Sequence, residues 1–210
     1  MSAPVIHFEN QTGYLELIIS CMFSGKTTLL LNKLNTFASV QLSCLYINHS
    51  LDSRSDSSFS THNPIITSIG SISAMKLDTL SSFDFYDSYD VIGIDEAGFF
   101  PDLLEKVLYL VEQKGKRVIV AGLQSDFKRQ PLGKTLDLIP YADQITKLSS
   151  YCKICAQARQ VKEASFSHRM VPSESQILIG MKESYIPLCR TCYLSQQKCL
   201  QEKDQTFGDQ

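Results

Sequence analysis

The sequence predicts an α/β fold in which a parallel β-sheet is covered by helices on both faces and is followed by a small metal-bound domain. Apolar strands alternate with helical segments, and the strands are apolar throughout rather than on one side only. That pattern is typical of parallel sheets buried on both faces. From Tyr151 onward paired cysteines and short polar strands take over. We therefore expect a first domain at 1–150, a second at 151–193, and a flexible tail at 194–210.

Each element follows from local periodicity and turn residues. The predicted strands cover 14–19, 43–49, 64–69, 89–95, 116–123 and 143–150. The predicted helices cover 27–38, 72–80 and 101–115, the last with Pro101 at its start and Gly115 at its end. The serine-rich segment 50–63 is predicted to be a loop. It is either a solvated linker or, because Arg54 lies among its hydroxyls, a functional loop.

Composition and charge narrow the functional classes. The chain has 210 residues, of which 43% are hydrophobic, and a formal net charge of −2. That charge gives no general attraction to nucleic acid or anionic lipid. The first residues lack the basic start and apolar run of a signal peptide, and no apolar stretch approaches about 18 residues. We expect a cytoplasmic protein without membrane or direct nucleic-acid partners.

A phosphate-binding loop is predicted at residues 20–27, "SCMFSGKT". The pattern G-x-x-x-x-G-K-[ST] is complete except that Ser20 occupies the first glycine position. The strand before it and the helix after it are the context that such a loop needs. Lys26 is expected to reach the β- and γ-phosphates, and the Thr27 hydroxyl to bind Mg²⁺. The alternative is a chance Gly-Lys-Thr turn.

Two acids follow the apolar strand of "VIGIDEAGFF". Ligands of parallel sheets bind at the carboxyl ends of the strands. An acid at this edge can therefore hold Mg²⁺ through water, as the partner of the phosphate loop. Asp95 and Glu96 are interpreted as adjacent strand residues that point to opposite faces, so one can serve the metal and the other can accept a proton from a substrate hydroxyl. The alternative is a solvated strand end.

Seven cysteines occur, and four of them form two C-x-x-C pairs, Cys152 with Cys155 and Cys189 with Cys192. Four thiolates in two such pairs predict a closed, structural zinc site. Chance thiols or redox pairs are the alternative. Cys21, Cys44 and Cys199 are interpreted as plain thiols. Phe99, Phe100, Phe127, Phe166 and Tyr185 are singly typical of a core but together could enclose a planar base.

These motifs together resemble the cellular-type thymidine kinase family, whose members have a zinc-bound lasso. The resemblance rests on "CMFSGKTT", "LDSRSDSSFSTH", "IDEAGFFPDL", "VIVAGLQSDFKRQPLG", "CKIC", "SFSHR" and "CRTCY", in order, over about residues 13–193. It implies a P-loop, RecA-like domain, a lasso over the nucleoside, and transfer of the ATP γ-phosphoryl to the 5′-hydroxyl of thymidine. It also implies a homotetramer and feedback inhibition by dTTP.

The resemblance assigns roles to residues of this chain. Glu96 matches the catalytic base, and Thr27 and Asp95 match the Mg²⁺ positions. The implied ATP-binding residues are Ser20, Cys21, Met22, Phe23, Ser24, Gly25, Lys26, Thr27, Asp52, Ser53, Arg54, Asp95, Ala97 and Gly98. The implied nucleoside-binding residues are Met22, Phe99, Leu123, Phe127, Phe166, Ser167, Gln176, Ile177, Leu178, Ile179, Gly180 and Tyr185.

Four departures from the family pattern lie near the ligands. Ser20 and Cys21 replace Gly-Pro, Gly98 replaces a glutamine, "LQSDF" replaces L-D-G-T-F, and Met181 replaces the second lasso glycine. A Cβ at residue 20 costs about 1–3 kcal/mol if its φ is positive. If φ is negative the cost is small and the hydroxyl can form a hydrogen bond. Asp126 is expected to add negative charge near an anionic reaction.

Three hypotheses therefore stand. The first is an active thymidine kinase, indicated by Glu96 directly after Asp95 and by the lasso length. The second is a degenerate member that binds nucleotide with little transfer, indicated by the departures. The third is a nucleic-acid-dependent ATPase with a zinc ribbon, which the net charge disfavours.

Overall fold

The central sheet has six parallel strands in the order β3-β2-β4-β5-β1-β6. The computed structural model describes residues 12–52, 72–171, 176 and 184–207, with side chains as far as Lys198. The strands of the sheet are β1 (Tyr14–Ser20), β2 (Cys44–His49), β3 (Ile72–Leu77), β4 (Val91–Ile94), β5 (Arg117–Leu123) and β6 (Gln144–Lys147). The predicted strand at 64–69 lies outside the described residues. A parallel α/β sheet is thus confirmed.

Two helices pack on opposite faces of the sheet. Helix α1 (Lys26–Ser39) follows β1, and helix α2 (Leu103–Leu108) follows β4. Apolar side chains of β1 alternate between two core clusters, as the pleat requires. Leu15, Leu17 and Ile19 pack with the α2 side, while Ile18 packs with the α1 side. Burial on both faces explains why the strands read as continuous apolar runs.

The segment predicted as a helix at 72–80 instead contains strand β3, so that prediction is wrong. Ile72–Leu77 pairs in parallel with Cys44–His49 of β2. Its side chains alternate with period two, since Ile72 and Ala74 pack in one core cluster and Met75 and Leu77 in the other. A short apolar run fits either periodicity, and pairing with β2 decides between them.

The helix predicted at 101–115 begins at Leu103 and is shorter as an α-helix than expected. After Leu108 it continues as a π-helix over Tyr109–Gln113. Gly115 has φ 62°, a left-handed conformation that glycine adopts cheaply. The predicted end of the helix is therefore confirmed, although its last part is a π-helix and not an α-helix.

The remaining strands and α-helices of the described residues lie around the cysteine pairs. They are β7 (Ser150–Tyr151), α3 (Lys153–Gln157), β8 (Glu163–Ala164), β9 (Phe166–Arg169), β10 (Tyr185–Leu188) and α4 (Arg190–Phe207). Strand β7 pairs with β8, and β9 with β10, both antiparallel. The expected tail is helical as far as Phe207. Its flexibility and the division into two domains stay predictions.

Within the described residues, none of the helices combines the length and the apolar character that a membrane span needs.

Candidate active site

The turn between β1 and α1 has the backbone geometry of a phosphate loop. Gly25, directly before α1, has φ 83°, and Phe23 has φ 61°. The left-handed conformation is cheap only for glycine, which explains the glycine at position 25. The Lys26 Nζ and the Ser24 hydroxyl both donate to the carbonyl of Cys21, at 2.7 and 3.0 Å. The ammonium therefore lies within the loop at the start of the helix, where anions bind.

Asp95 connects this loop to the neighbouring acidic segment. Strand β5 lies between β1 and β4, so the two loops begin about 10 Å apart at the same edge of the sheet. The Thr27 hydroxyl donates to Asp95 Oδ2 at 2.7 Å, and the Tyr46 hydroxyl donates to the same oxygen at 2.9 Å. A hydroxyl and a carboxylate in contact at a phosphate loop are oxygen ligands of the kind that Mg²⁺ prefers. Thr27 and Asp95, the residues predicted to hold Mg²⁺, are therefore a pair that suits this ion.

Glu96 is separated from Asp95 by a backbone turn and not by the pleat of a strand. Strand β4 ends at Ile94, so the interpretation of both acids as strand residues is wrong. Glu96 has φ 51° and ψ 39°, a left-handed conformation that is uncommon outside glycine and costs on the order of 1–3 kcal/mol. Its backbone N–H donates to Asp95 Oδ1 at 2.9 Å. Strain of this kind is characteristic of functional positions.

Asp52, the first acid of the serine-rich segment, is buried just after β2. Its Oδ2 accepts a hydrogen bond from Asn48 Nδ2 at 2.8 Å, and its carbonyl accepts one from Lys76 Nζ at 2.9 Å. The end of β2 thus brings Asp52 to the carboxyl edge of the sheet. Ser53 and Arg54 lie outside the described residues.

Ser167 and Leu123, two of the residues predicted to bind nucleoside, contact the phosphate loop. The Met22 N–H donates to the Ser167 hydroxyl at 3.0 Å, which joins the loop to β9. Leu123, at the end of β5, pairs with Ser20 in the sheet. The ring of Phe99 lies 5.7 Å from that of His49, which is buried at the end of β2. Ile177, Leu178, Ile179 and Gly180 lie outside the described residues.

Phe166 does not accompany Ser167 toward the loop. Successive strand residues point to opposite faces, and the Phe166 ring packs 5.2 Å from the Tyr193 ring, in the cysteine-lined core. The guanidinium of Arg190 lies 4.9 Å from its ring centroid. Of the Phe166–Ser167 pair, only Ser167 contacts the loop. The geometry gives no support for a nucleoside contact by Phe166.

Arg169 joins the other predicted base-binding residues, and sequence reasoning did not single it out. This buried guanidinium lies 3.8 Å from the Phe127 ring centroid, and its Nε and Nη2 donate to the Tyr185 hydroxyl at 3.1 and 2.7 Å. Its Nη2 also donates to the carbonyl of Gln176 at 2.9 Å. The arginine that ends "SFSHR" was the only sign in the sequence that a cation could lie here. The neighbouring residues did not indicate which aromatic rings it would contact.

The four paired cysteines form one cluster. Their Sγ atoms all lie within 4.8 Å of one another, with Cys155 at 3.9 Å from Cys189 and 3.6 Å from Cys192. Tetrahedral zinc with Zn–S bonds near 2.3 Å places its sulfurs about 3.8 Å apart, so the donor set and its spacing fit zinc. Four protein ligands leave no open position, which makes the site structural.

The thiol pKa values differ within this cluster. Burial acts to raise the pKa of Cys152, but hydrogen bonds from Cys189 and Cys155 outweigh it and lower that pKa to about 6. Burial raises the pKa of Cys192 to about 12. Cys152 is thus the more readily deprotonated of these two thiols, and Cys192 must lose its proton when zinc binds.

Comparison with known proteins agrees with this geometry. The family model described as thymidine kinase matches residues 13–193. The chain belongs to the thymidine kinase family. It is 38% identical over 185 residues to the thymidine kinase of Yaba monkey tumor virus (strain VR587), covering 88% of this chain and 96% of that one. It is 37% identical to thymidine kinase 1 of Dictyostelium discoideum, covering 88% and 79%. Identity to the thymidine kinase of Vaccinia virus (strain Western Reserve) is 37%, covering 87% and 97%.

The departures of the phosphate loop from the thymidine kinase pattern are accommodated. Ser20 is the last residue of β1 and is not among the non-glycine residues with positive φ in the described part of the chain. Its hydroxyl donates to the carbonyl of Leu148 at 2.5 Å. The Cys21 thiol donates to the carbonyl of Ala164 at 3.3 Å. Serine therefore causes no left-handed strain, and both side chains tie the loop to the segments that follow the sheet.

Gly98, which replaces the family's glutamine, permits a close approach between two loops. A Cβ at this position would lie 3.0 Å from the Leu132 carbonyl oxygen and 3.2 Å from its Cγ. Gly133, with φ 58°, faces it so closely that a Cβ there would overlap the Gly98 carbonyl. A glutamine at 98 would therefore require the 132–133 segment to move.

Asp126, which was expected to add negative charge near the reaction, is engaged in several hydrogen bonds. The carboxylate is buried, and its Oδ1 accepts the N–H groups of Lys128 and Gln130, both at 2.8 Å. Its Oδ2 accepts from Gln176 Nε2 at 2.9 Å. Gln124, another departure, donates through Nε2 to the Ser165 carbonyl at 2.8 Å. Both replacements make hydrogen bonds to neighbouring segments of the chain.

Proposed function

We propose that this protein transfers the γ-phosphoryl of ATP to the 5′-hydroxyl of thymidine. The observation that carries the proposal is the hydrogen bond from Thr27 to Asp95. It joins a phosphate loop to the acid that precedes Glu96, within a chain of the thymidine kinase family. Phosphoryl transfer depends on positioning and charge neutralisation, and these residues supply both.

The residues have complementary roles in this proposal. The loop amides and Lys26 neutralise charge on the transferred phosphoryl group. Thr27 and Asp95 hold Mg²⁺, which when bound shields the phosphate oxygens. Glu96 orients the 5′-hydroxyl and accepts its proton. Its strained backbone supports this role, since the turn directs the Glu96 side chain away from the path that a continued strand would give it.

On the nucleoside side we assign the base to the region around Met22, Phe127, Ser167 and Tyr185. One face of the Phe127 ring is covered by the Arg169 guanidinium, so a base would contact its other face or its edge. The four cysteines hold structural zinc and fix the ends of the chain that carries β9 and β10. A homotetramer, inhibition by dTTP and a cytoplasmic location are further parts of the proposal, and their support is the family resemblance alone.

The test is thymidine-dependent release of ADP in the presence of Mg²⁺. We expect turnover with thymidine, a loss of at least about a hundredfold in Glu96→Gln, and no change in Glu105→Gln, which alters an exposed acid on α2. Tight nucleotide binding without turnover would instead favour a degenerate kinase. ATP hydrolysis stimulated by DNA and not by thymidine would favour a nucleic-acid-dependent ATPase.

A further inference from the structure

Gln176 forms hydrogen bonds through its side chain and through its main chain, with residues from two other segments. Its side-chain Nε2 donates to Asp126 Oδ2 at 2.9 Å, and its main-chain carbonyl accepts from Arg169 Nη2 at 2.9 Å. A longer contact of 3.5 Å joins Nε2 to the Pro131 carbonyl. Asp126 lies fifty positions before Gln176 and Arg169 seven positions before it.

The Asp126 carboxylate is oriented by hydrogen bonds within its own loop, independently of Gln176. Its Oδ1 accepts two backbone N–H groups of the loop that ends at Gln130, and the Asp126 N–H donates to the Gln130 carbonyl at 2.8 Å. Arg129 within that loop has φ 64°. Only Oδ2 remains to reach the amide of Gln176. A carboxylate with one oxygen committed to its own loop is a preorganised acceptor.

The Arg169 guanidinium is shared among three residues that sequence reasoning assigned to the nucleoside. It covers one face of Phe127, donates twice to the Tyr185 hydroxyl, and donates to the Gln176 carbonyl. A planar guanidinium can stack and donate in fixed directions at once, which a lysine cannot do. The positions of Phe127, Tyr185 and Gln176 are therefore coupled through Arg169.

We propose that Asp126 and Arg169 are positioning residues that clamp Gln176 and thereby fix the base-binding side of the site. This inference rests on the proposed function. The family pattern L-D-G-T-F has threonine where this chain has Asp126, and a single hydroxyl oxygen cannot take the place of two carboxylate oxygens that face in different directions. The carboxylate–amide link is thus a property of this chain's own sequence, and it acts on nucleoside affinity rather than on phosphoryl transfer.

The test is a swap of hydrogen-bonding partners between positions 126 and 176. In Gln176→Glu two carboxylates face each other and repel, so we expect the KM for thymidine to rise about tenfold or more. In Asp126→Asn the Gln176 amide can turn its oxygen toward the new NH₂ group, so the rise should stay within about threefold. In the double variant D126N/Q176E the new amide donates to the new carboxylate, and the KM should return to within about threefold of wild type.

The readout separates a positioning role from a general structural one. We expect kcat and the KM for ATP to stay within about twofold in all three variants, because the phosphate loop and Glu96 are not altered. Gln176 is exposed and Asp126→Asn keeps the loop hydrogen bonds, so the variants should fold. The matched control is Gln113→Glu combined with Asp84→Asn, the same exchanges at exposed positions elsewhere. Arg169→Lys should raise the KM for thymidine about tenfold at nearly constant kcat.

Rescue of Gln176→Glu by Asp126→Asn, with no coupling in the control pair, would support the clamp. The clamp would be overturned if Gln176→Glu raised the KM for thymidine by the same factor alone and in the D126N background. It would also be overturned if kcat fell and the KM for ATP rose in parallel with the KM for thymidine. A wild-type protein that does not phosphorylate thymidine would overturn the proposed function and the clamp's role with it. An active wild type without rescue would overturn the clamp alone.

Discussion

The Thr27 hydroxyl donates a hydrogen bond to Asp95 Oδ2 at 2.7 Å, across the strand that separates their segments in the sheet. The same carboxylate oxygen accepts a hydrogen bond from the hydroxyl of Tyr46, a residue within β2. Three parallel strands thus converge on one carboxylate at the edge where ligands of such sheets bind. The functional consequences of this convergence can be tested residue by residue.

Thr27→Val should lower kcat/KM for the kinase reaction about a hundredfold or more. It removes the hydroxyl that contacts Asp95 and that the proposal assigns to Mg²⁺, with little change in side-chain shape. Thr27→Ser keeps the hydroxyl and should retain most activity. The measurement is the initial rate against Mg²⁺ concentration. Equal rates for the valine and serine variants would contradict the assigned role.

Ser20→Gly should not accelerate the reaction, because Ser20 is unstrained and its hydroxyl is bonded to the Leu148 carbonyl. Ser20→Ala should lower the free energy of unfolding by about 1–3 kcal/mol, since it leaves that carbonyl without the hydroxyl donor. Denaturant unfolding and steady-state rates measure the two effects. A large gain in rate for the glycine variant would show that the native loop is strained after all.

Freshly purified protein should contain one zinc per chain by elemental analysis, because four thiols lie at zinc-binding spacing. Cys155→Ser should lose the metal and also raise the KM for thymidine, since β9 and β10 pack against the cysteine cluster. Cys44→Ser is the control, as that thiol lies in the sheet core. Less than half an equivalent of zinc in the wild type would rule out the four-cysteine site.

Stability should fall as the pH drops below about 6.5, because burial lowers the pKa of His49 and of His168. Both are held neutral in the fold and gain protons more readily when unfolded. Their contribution is thus complete above the unfolded pKa, decreases as the pH falls below it, and is lost as the pH falls through the lower folded pKa. The Nδ1 of His49 accepts the Leu51 N–H at 3.1 Å, a bond that protonation would break. The Nδ1 of His168 has no hydrogen-bond partner among the described residues.

His49→Asn isolates one of these groups. An asparagine oxygen can replace the Nδ1 acceptor but does not titrate. The difference in unfolding midpoint between pH 8 and pH 5.5 should therefore be smaller in this variant than in the wild type. Identical pH dependence in the two proteins would mean that His49 does not contribute.

The sequence by itself determined the features that depend on short-range patterns. Gly25, Lys26 and Thr27 predict their turn because only glycine takes the left-handed position before the helix at little cost. The two C-x-x-C pairs predict a metal site because their spacing matches tetrahedral ligation. Continuous apolar strands indicate a sheet buried on both faces.

Tertiary structure alone decided the features that join distant segments. Ile72–Leu77 became a strand because β2 offered it a parallel partner, although its local pattern also suited a helix. The turn at Glu96 separates the two acids in a way that strand alternation did not predict. The link from Asp126 to Gln176 spans fifty positions, and Arg169 meets Phe127 only through the fold. Such contacts leave no periodic trace in the chain, because their energy depends on geometry that exists only after the sheet has formed.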